Sequence, residues 1–349
     1  LFYLSIPAFY NYGDLQKNIT KKLIKEFNLN AALSSNITYK ILPSPNFEIS
    51  NVILSTDSDK KFNEFAQIKK LKIYVSIRKL HSQKELEIKK IIFSEANFNI
   101  NKNSFYYIND FFRKKSSSKK IIIKKSKIFF RKSVDKKDAI ALSSIQKSKI
   151  FYDEKKNSNK IIIEGSIFNT QYNLSFLRNI TNKNLTNFQI NFKQLNAQIN
   201  NEFLKSYEKS INSEGIVSII FLGSENTINY EISDEFILFS SDETSINDQR
   251  IFLNGKINTS PFYYNIYVDL DRINVAKSIK NFSKIKNLLQ NKILLNENFN
   301  GKIMFNIHFL EGIKLFDHAK INFEILNGKL MLNESTITSK KIGKITFLN

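Results

Sequence analysis

Three histidines, at positions 81, 308 and 318, supply all the imidazole in the chain, and there is no cysteine to join them. A zinc site draws on closely spaced His, Cys and carboxylate ligands. None of the three has such neighbours at ligand spacing, so no metal is expected. Asp269 and Asp271 in "VDLDRIN" lie two apart, on one face of a strand, and paired carboxylates can serve glycoside hydrolysis. The stretch reads more simply as a strand running into a helix, with Asp271 near the helix start, where negative charge is favoured. There is no glycine-rich phosphate loop, no Gly-x-Ser-x-Gly elbow and no His-Glu-x-x-His. The residues argue for a protein that is not an enzyme and needs no cofactor.

The remaining chemistry is charge. Fifty-three Lys and Arg against 32 Asp and Glu leave the 349-residue chain at +21. That balance suits an anionic partner, either nucleic acid or a membrane surface. Only six of the basic residues are Arg, however, and the planar Arg fork is what usually reads bases and phosphates. Lys, Asn and Ile are all abundant, as in a chain from an AT-rich genome. Aromatic residues make up 13% but fall at alternating strand positions, where they build an apolar face rather than a stacking platform. No nucleic-acid partner is expected, and a basic nucleic-acid-binding protein stands as a third reading. The absence of Cys excludes a disulfide framework and suits either redox compartment.

The elements that would position these residues are mostly strands. Leu1 to Tyr10 is uncharged and mostly apolar, about half the ~20 residues of a spanning helix. It reads as the end of a membrane anchor, or alternatively as a short buried strand or signal remnant. Leu15, Ile19, Leu23 and Phe27 then recur every four residues, with Lys between them, in an amphipathic helix capped by Asp14 and ending near Asn28. Pro43 and Pro45 turn a corner. After them Phe47 and Ile49, then Val52 and Leu54, alternate with a one-residue slip that suggests a bulge. Leu71, Ile73, Val75 and Ile77 make a clean strand, and Ala96, Phe98 and Ile100 another.

"RKKSSSKKIIIKKSK", Arg113 to Lys127, reads as a basic linker or loop. Beyond it the two-residue period returns at Phe188, Ile190 and Phe192, at Tyr264 and Ile266, at Phe305 and Ile307, and at Ile321, Phe323 and Ile325. Helices are expected at Phe203–Ile211 and Val275–Leu295, the second capping a sheet. Gly165, Gly215, Gly255, Gly301 and Gly328 are expected at hairpin turns that open successive strands. Regular strand–helix–strand units are not expected, so the sheet should be antiparallel.

The order of apolar start, helix, "ILPSP" corner, "FEISNVILS" strand and "FAQIKKLKIYVSIRKLHSQKELEIKKIIFSEANFNI" resembles the N-terminal region of the AsmA family of bacterial envelope proteins. The matching pieces are Pro43 and Pro45, Asn51-Val52, Leu71 to Leu80 and Leu86 to Ile100. "NGKINTSPFYYNIYVDLDRINV" and "NGKLMLNESTITS" are similar to the family's later strand–turn–strand units. The resemblance is strong only over Leu1 to Ile100; the Lys-rich linker and the shortage of Gly depart from it.

The resemblance implies a mostly β chain with a few helices, an elongated U-shaped antiparallel β-sheet groove with an N-terminal amphipathic helix. Residues 1–11 would end a truncated membrane anchor, 12–112 form a chorein-like helix and strands, 113–127 the linker, and 128–349 an extended groove, incomplete at its C-terminus. It implies a single N-terminal anchor in the bacterial inner membrane with the bulk in the periplasm. Phospholipid acyl chains would lie in the groove, supporting phospholipid transport to the outer membrane or its homeostasis. Partners would be phospholipid, the inner membrane and the outer membrane or its proteins. The groove-lining candidates are Phe47, Ile49, Leu71, Ile73, Val75, Phe98, Phe188, Ile190, Phe192, Tyr264, Ile266, Phe305, Ile307 and Phe323. An outer-membrane protein assembly factor acting through its sheet edges is the alternative. Alternation by itself suits a packed core as well as a lipid groove; the resemblance is what favours lipid.

Overall fold

The computed structural model describes residues 2–56, 63–101, 104, 108, 111–131, 139–182, 186–206, 213–221, 224–233, 235–246, 249–259, 261–276 and 297–347. The protein is mostly β with few helices, and its strands join a large sheet that stays open. By backbone contacts it divides into two compact units. Unit 1 holds Leu1–Lys136, Leu142–Ile167 and Asn173–Lys183; unit 2 holds Lys137–Ala141, Phe168–Tyr172 and Asn184–Asn349.

Unit 1 opens with α1 (Phe2–Ser5), a 3-10 turn (Ile6–Phe9) and α2 (Tyr12–Phe27). Strands β1 (Ala31–Ala32), β2 (Ile37–Lys40), β3 (Asn46–Thr56), β4 (Asn63–Val75), β5 (Ile88–Ile100) and β6 (Lys120–Arg131) follow. It also holds most of β7 (Ala139–Asp153), β8 (Ser158–Ile167) and most of β9 (Thr170–Asn179). The Asn11 side chain caps α2, accepting from the N–H groups of Gly13 and Asp14, and Asn28 closes it in the left-handed region. Asp14, expected as the cap, instead sits in the first turn, where its charge favours the helix dipole. Leu15, Ile19, Leu23 and Phe27 are 0–2% exposed and share one core with Phe47, Ile49, Leu71 and Ile73. Each such side chain contributes about 1.5–3 kcal/mol by its burial.

A single fault crosses this sheet. In each of five strands two consecutive residues leave the core, and the inward phase then resumes one residue late. The pairs are Ser50-Asn51, Lys69-Lys70, Ser94-Glu95, Lys124-Lys125 and Gln146-Lys147. Asn51, Glu95 and Lys125 have positive φ there, and Lys69 bridges Glu95 at 2.7 Å. From β3 to β6 the pairing resumes beyond the fault without a register shift at that point, because every strand slips together. Between β7 and β8 the slip ends in a bulge at Ile145/Lys147.

On the outer face Glu48 is 9% exposed and meets Lys40, Lys70 and Lys72 at 2.9, 3.1 and 3.3 Å. Burial pushes its carboxyl up, but hydrogen bonds from the three lysines outweigh that and hold it at about 2.

Unit 2 contains β10 (Thr186–Phe192), β11 (Ala197–Ser206), β12 (Ser213–Phe221), β13 (Ser224–Ile232), β14 (Phe236–Ile246), β15 (Gln249–Thr259) and β16 (Phe262–Leu270). After the short β17 (Ile273–Asn274) come β18 (Asn300–Ile307), β19 (Leu310–Glu311), β20 (His318–Leu326), β21 (Lys329–Met331), β22 (Thr336–Ser339) and β23 (Gly343–Thr346). Cross-strand register places Phe203, Gly215, Tyr230, Phe239, Gly255, Ile266, Ile303 and Phe323 in one row on one face. Rings and glycines are complementary in it: Tyr230 lies over Gly215 and Phe239 over Gly255, while Tyr264 covers Gly301 in the next row.

Gly215, Gly255 and Gly301 therefore stand inside strands and not at the expected turns. Gly165 likewise lies within β8. Gly328 is a turn residue: Asn327-Gly328, both at positive φ, join Leu326 to Lys329 in a two-residue hairpin.

Other expectations are corrected. Lys120 to Lys127, expected as linker, is the first part of β6, and it pairs parallel to β5. β16 and β18 are also parallel. Parallel neighbours need crossovers of about a dozen residues or more. Nineteen residues separate Ile100 from Lys120 (120 − 100 − 1) and 29 separate Leu270 from Asn300 (300 − 270 − 1). Phe203 and Leu204, expected in a helix, belong to β11, where a bulge between Phe203 and Lys205 disguises the strand period; Tyr207 and Ile211 lie outside the described residues. So does nearly all of the expected Val275–Leu295 helix, of which Val275 and Ala276 are described as helical. His318, expected in a turn, begins β20.

Two outcomes follow. A Cβ at Gly255 would meet Phe239 and lie 2.8 Å from the Asn265 carbonyl oxygen, so Gly255→Val should destabilise by about 1–3 kcal/mol in urea unfolding. Glu48 has a lowered folded pKa, so its stabilisation is complete above the ordinary value of 4.5 and is lost as pH falls toward about 2. Glu48→Gln should flatten that acid limb in pH-dependent unfolding, and an unchanged limb would remove Glu48 from its cause.

Candidate functional site

The row beyond the fault in unit 1 carries small inward side chains: Ala96, Ser126 and Ser148. Close by is a cavity of about 190 Å³. Its walls are Leu29, Leu54, Phe65, Phe93, Phe98, Ile100, Ile108, Phe111, Phe112, Ile121, Ile123, Ile128, Ile145, Ile150, Ile161 and Ile163, with Ser148 as the one polar residue. An apolar cavity of ~150 Å³ stays dry and accepts a benzene-sized molecule. This one can hold a short stretch of hydrocarbon.

Its wall is held from behind by Asn159 on β8, which is fully buried. The Asn159 amide donates to the carbonyls of Phe112 and Lys114, both at 2.8 Å, and its oxygen accepts from the Ser116 N–H at 2.9 Å. That clamp fixes the segment carrying Phe111 and Phe112, whose rings meet edge-on at 4.9 Å. Phe65 and Phe98 meet edge-on at 5.8 Å. Ser126 is satisfied, accepting from the Ala96 N–H and donating to the Lys124 carbonyl. Among the described residues the buried Ser148 hydroxyl has no hydrogen-bond partner.

The sequence candidates divide between two environments. Phe47, Ile49, Leu71 and Ile73 are 0% exposed and Val75 is 3% exposed, all in the core that includes the α2 stripe. In this structure they are packed side chains of that core. Phe98 lines the cavity. Phe188, Ile190, Phe192, Tyr264, Ile266, Phe305, Ile307 and Phe323 share one face of unit 2 by register. Of these, Tyr264 and Ile307 are buried and the other six are half-buried. Tyr264 packs with Phe262 and Phe299, and burial, then the neighbouring Tyr263, pushes its hydroxyl up to about 12. Phe305 and Phe323 meet edge-on at 5.8 Å.

The opposite face of unit 2 forms a hollow of about 860 Å³ with mixed walls, in which Leu238, Met304, Tyr230 and Phe239 join the polar residues. Asn229, Ser240, Asn254 and Tyr267 lie along it, with Glu214, Glu231 and Lys256 beside them. Asp269 stands on this face and accepts from Tyr267 Oη at 2.8 Å and Asn306 Nδ2 at 2.9 Å, with His308 Nε2 at 2.8 Å. Burial raises the Asp269 carboxyl, and the bonds from Asn306, Tyr267 and His308 more than reverse that and hold it below its ordinary value. Asp271, its expected companion, lies beyond β16 and meets Arg272. Among the described residues no cluster of three His, Cys, Asp or Glu could hold a metal, and no helix is long and apolar enough to cross a membrane.

No protein-family model matches the chain, and no curated protein matches it. A solved structure, that of the sex pheromone staph-cAM373 precursor, aligns over 92% of this chain and 90% of its own at 10% identity. Its TM-score is 0.16, too low to carry an argument about fold or function.

Sequence reasoning missed Asn159, Ser148 and the Phe111–Phe112 wall. The slip from Ile145 to Ser148 repeats the slip visible at Phe47–Leu54, which is the one signal that placed Ser148 inward. An unpartnered hydroxyl in a dry cavity costs about 1–3 kcal/mol. Ser148→Ala should therefore stabilise the chain by about 1 kcal/mol in urea unfolding, and destabilisation would show that the hydroxyl has a partner.

Proposed function

We propose that this chain is an AsmA-like bacterial envelope protein that holds phospholipid acyl chains on apolar sheet surfaces. In this reading it is anchored in the inner membrane, with its bulk in the periplasm, and supports phospholipid transport to the outer membrane or its homeostasis. The surfaces would together form a groove, U-shaped in section. It works without catalysis: each methylene kept from water is worth ~0.8 kcal/mol, so an apolar track lowers the cost of carrying a lipid while its headgroup stays wet.

The observation that carries the reading is a contrast in burial. Both units write the same alternation. The α2 stripe completes the core of unit 1, where Phe47, Ile49, Leu71 and Ile73 reach 0% exposure. The corresponding face of unit 2 is sealed only in part: Ile251, Val268, Leu270 and Ile307 are buried, whereas Phe188, Val217, Ile228, Phe239, Ile303 and Phe323 remain half-buried. A face built like a core and incompletely sealed is what an acyl chain requires. The unit 1 cavity adds a second apolar space.

The test is to purify the chain without detergent after bacterial expression, extract it with organic solvent and weigh the extract for phospholipid by mass spectrometry. Phospholipid near one or more per chain is expected. Phe188→Glu with Ile228→Glu, both at half-buried positions, should lower it about tenfold or more, the equivalent of ~1.4 kcal/mol, with the circular dichroism spectrum unchanged. A folded, lipid-free wild-type chain would sink the proposal.

A further inference from the structure

Three segments of unit 1 converge at one end of β3 to β5: Phe2 to Asn11, the β2–β3 turn from Ile41 to Pro45, and the β4–β5 connection from Ser76 to Glu87. Hydrogen bonds fasten them together. Tyr3 Oη donates to the Arg78 carbonyl at 3.0 Å, Tyr39 Oη to that of Leu4 at 2.8 Å, and Tyr10 Oη to that of Leu80. Gln83 Nε2 donates to the Asn11 carbonyl at 2.9 Å, and the Val75 N–H to that of Pro45 at 3.1 Å.

This tied end nevertheless turns large apolar side chains outward. Phe9 is 83% exposed, Leu42 81%, Ile77 49% and Tyr3 37%. Single exposed apolar residues are ordinary, whereas several on converging loops mark an interaction surface. Around them Lys40, Lys70, Lys72, Arg78, Lys79 and Lys84 stand against Glu48, Glu85 and Glu87, a balance of +3 (6 − 3).

We propose that this end of unit 1 is a docking surface for an anionic lipid bilayer. Apolar and aromatic side chains set among Lys and Arg suit the headgroup boundary, where the former enter the acyl edge and the latter meet lipid phosphate. A polyanion such as nucleic acid would use the cations and leave Phe9, Leu42 and Ile77 in water. The inference rests on the membrane association proposed above and is independent of the lipid cargo.

The experiment floats the full chain with vesicles of phosphatidylcholine, alone or mixed with phosphatidylglycerol. The wild type should float with the mixed vesicles, far less with the neutral ones, and less as salt rises. The triple variant Phe9→Asn, Leu42→Asn, Ile77→Asn should lower the bound fraction about tenfold. The triple variant Arg78→Gln, Lys79→Gln, Lys84→Gln should lose the anionic preference and its salt dependence. All six side chains are exposed, and an unchanged urea midpoint verifies folding. The proposal is overturned if the wild type stays free, or if either variant floats like the wild type. It is also overturned if the charge variant loses only binding to a duplex oligonucleotide, or if the apolar variant alters only self-association. Phospholipid carried by each protein is measured in parallel: a chain that floats but carries none sinks the cargo reading alone, and one that carries lipid but does not float sinks the docking alone.

Discussion

A β-strand turns alternate side chains to opposite faces, so a sheet that buries one face must keep all its strands in phase. In unit 1 that phase is broken and restored in five strands at once. Had β4 alone slipped, Ile68 and Ala66 would have pointed outward while Val52 and Leu54 stayed in. Because Asn51, Lys69, Glu95 and Lys125 yield together, the buried face remains continuous on both sides of the fault. Just past it lie the small side chains Ala96, Ser126 and Ser148, the last of which lines the apolar cavity.

The two units meet the same requirement, an apolar face removed from water, with different degrees of closure. Unit 1 has a helix whose period matches the sheet beneath it, and its central side chains are sealed. Unit 2 relies on aromatic rings laid over Gly215, Gly255 and Gly301; a side chain would collide with a neighbouring backbone carbonyl at the first two and with the Tyr264 ring at the third. Its rows are buried at Ile251, Val268, Leu270 and Ile307 and half-buried from Phe188 to Phe239. The proposed function depends on that incompleteness, since a sealed core offers nothing to a lipid.

Much of the fold was legible in local pattern. The four-residue spacing from Leu15 to Phe27 coincides with α2, and the two-residue spacing at Leu71–Val75, Phe188–Phe192 and Ile321–Ile325 coincides with strands. The slip between Ile49 and Val52 is the edge of the fault. Misreadings arose where local chemistry has two solutions. "KKIIIKKSK" is as basic as a loop, but its Ile121 and Ile123 are paid for by core contacts with β5. Asn11 and Asp14 are both good caps, and only the backbone decides which side chain reaches the free N–H groups. In-strand glycines resemble turn glycines until the ring from the next strand is seen.

The sequence by itself determined that this is a β-rich chain with a helix near its start, because side-chain period follows directly from backbone geometry. It also determined the positive charge and the absence of recognisable catalytic motifs. Only the tertiary structure decided which apolar faces are core and which are half-open. Exposure depends on what packs above a residue, and that neighbour comes from elsewhere in the chain. Phe47 and Phe188 stand in equivalent alternating patterns; the core shared with α2 seals the first, and among the described residues the second stays half-buried.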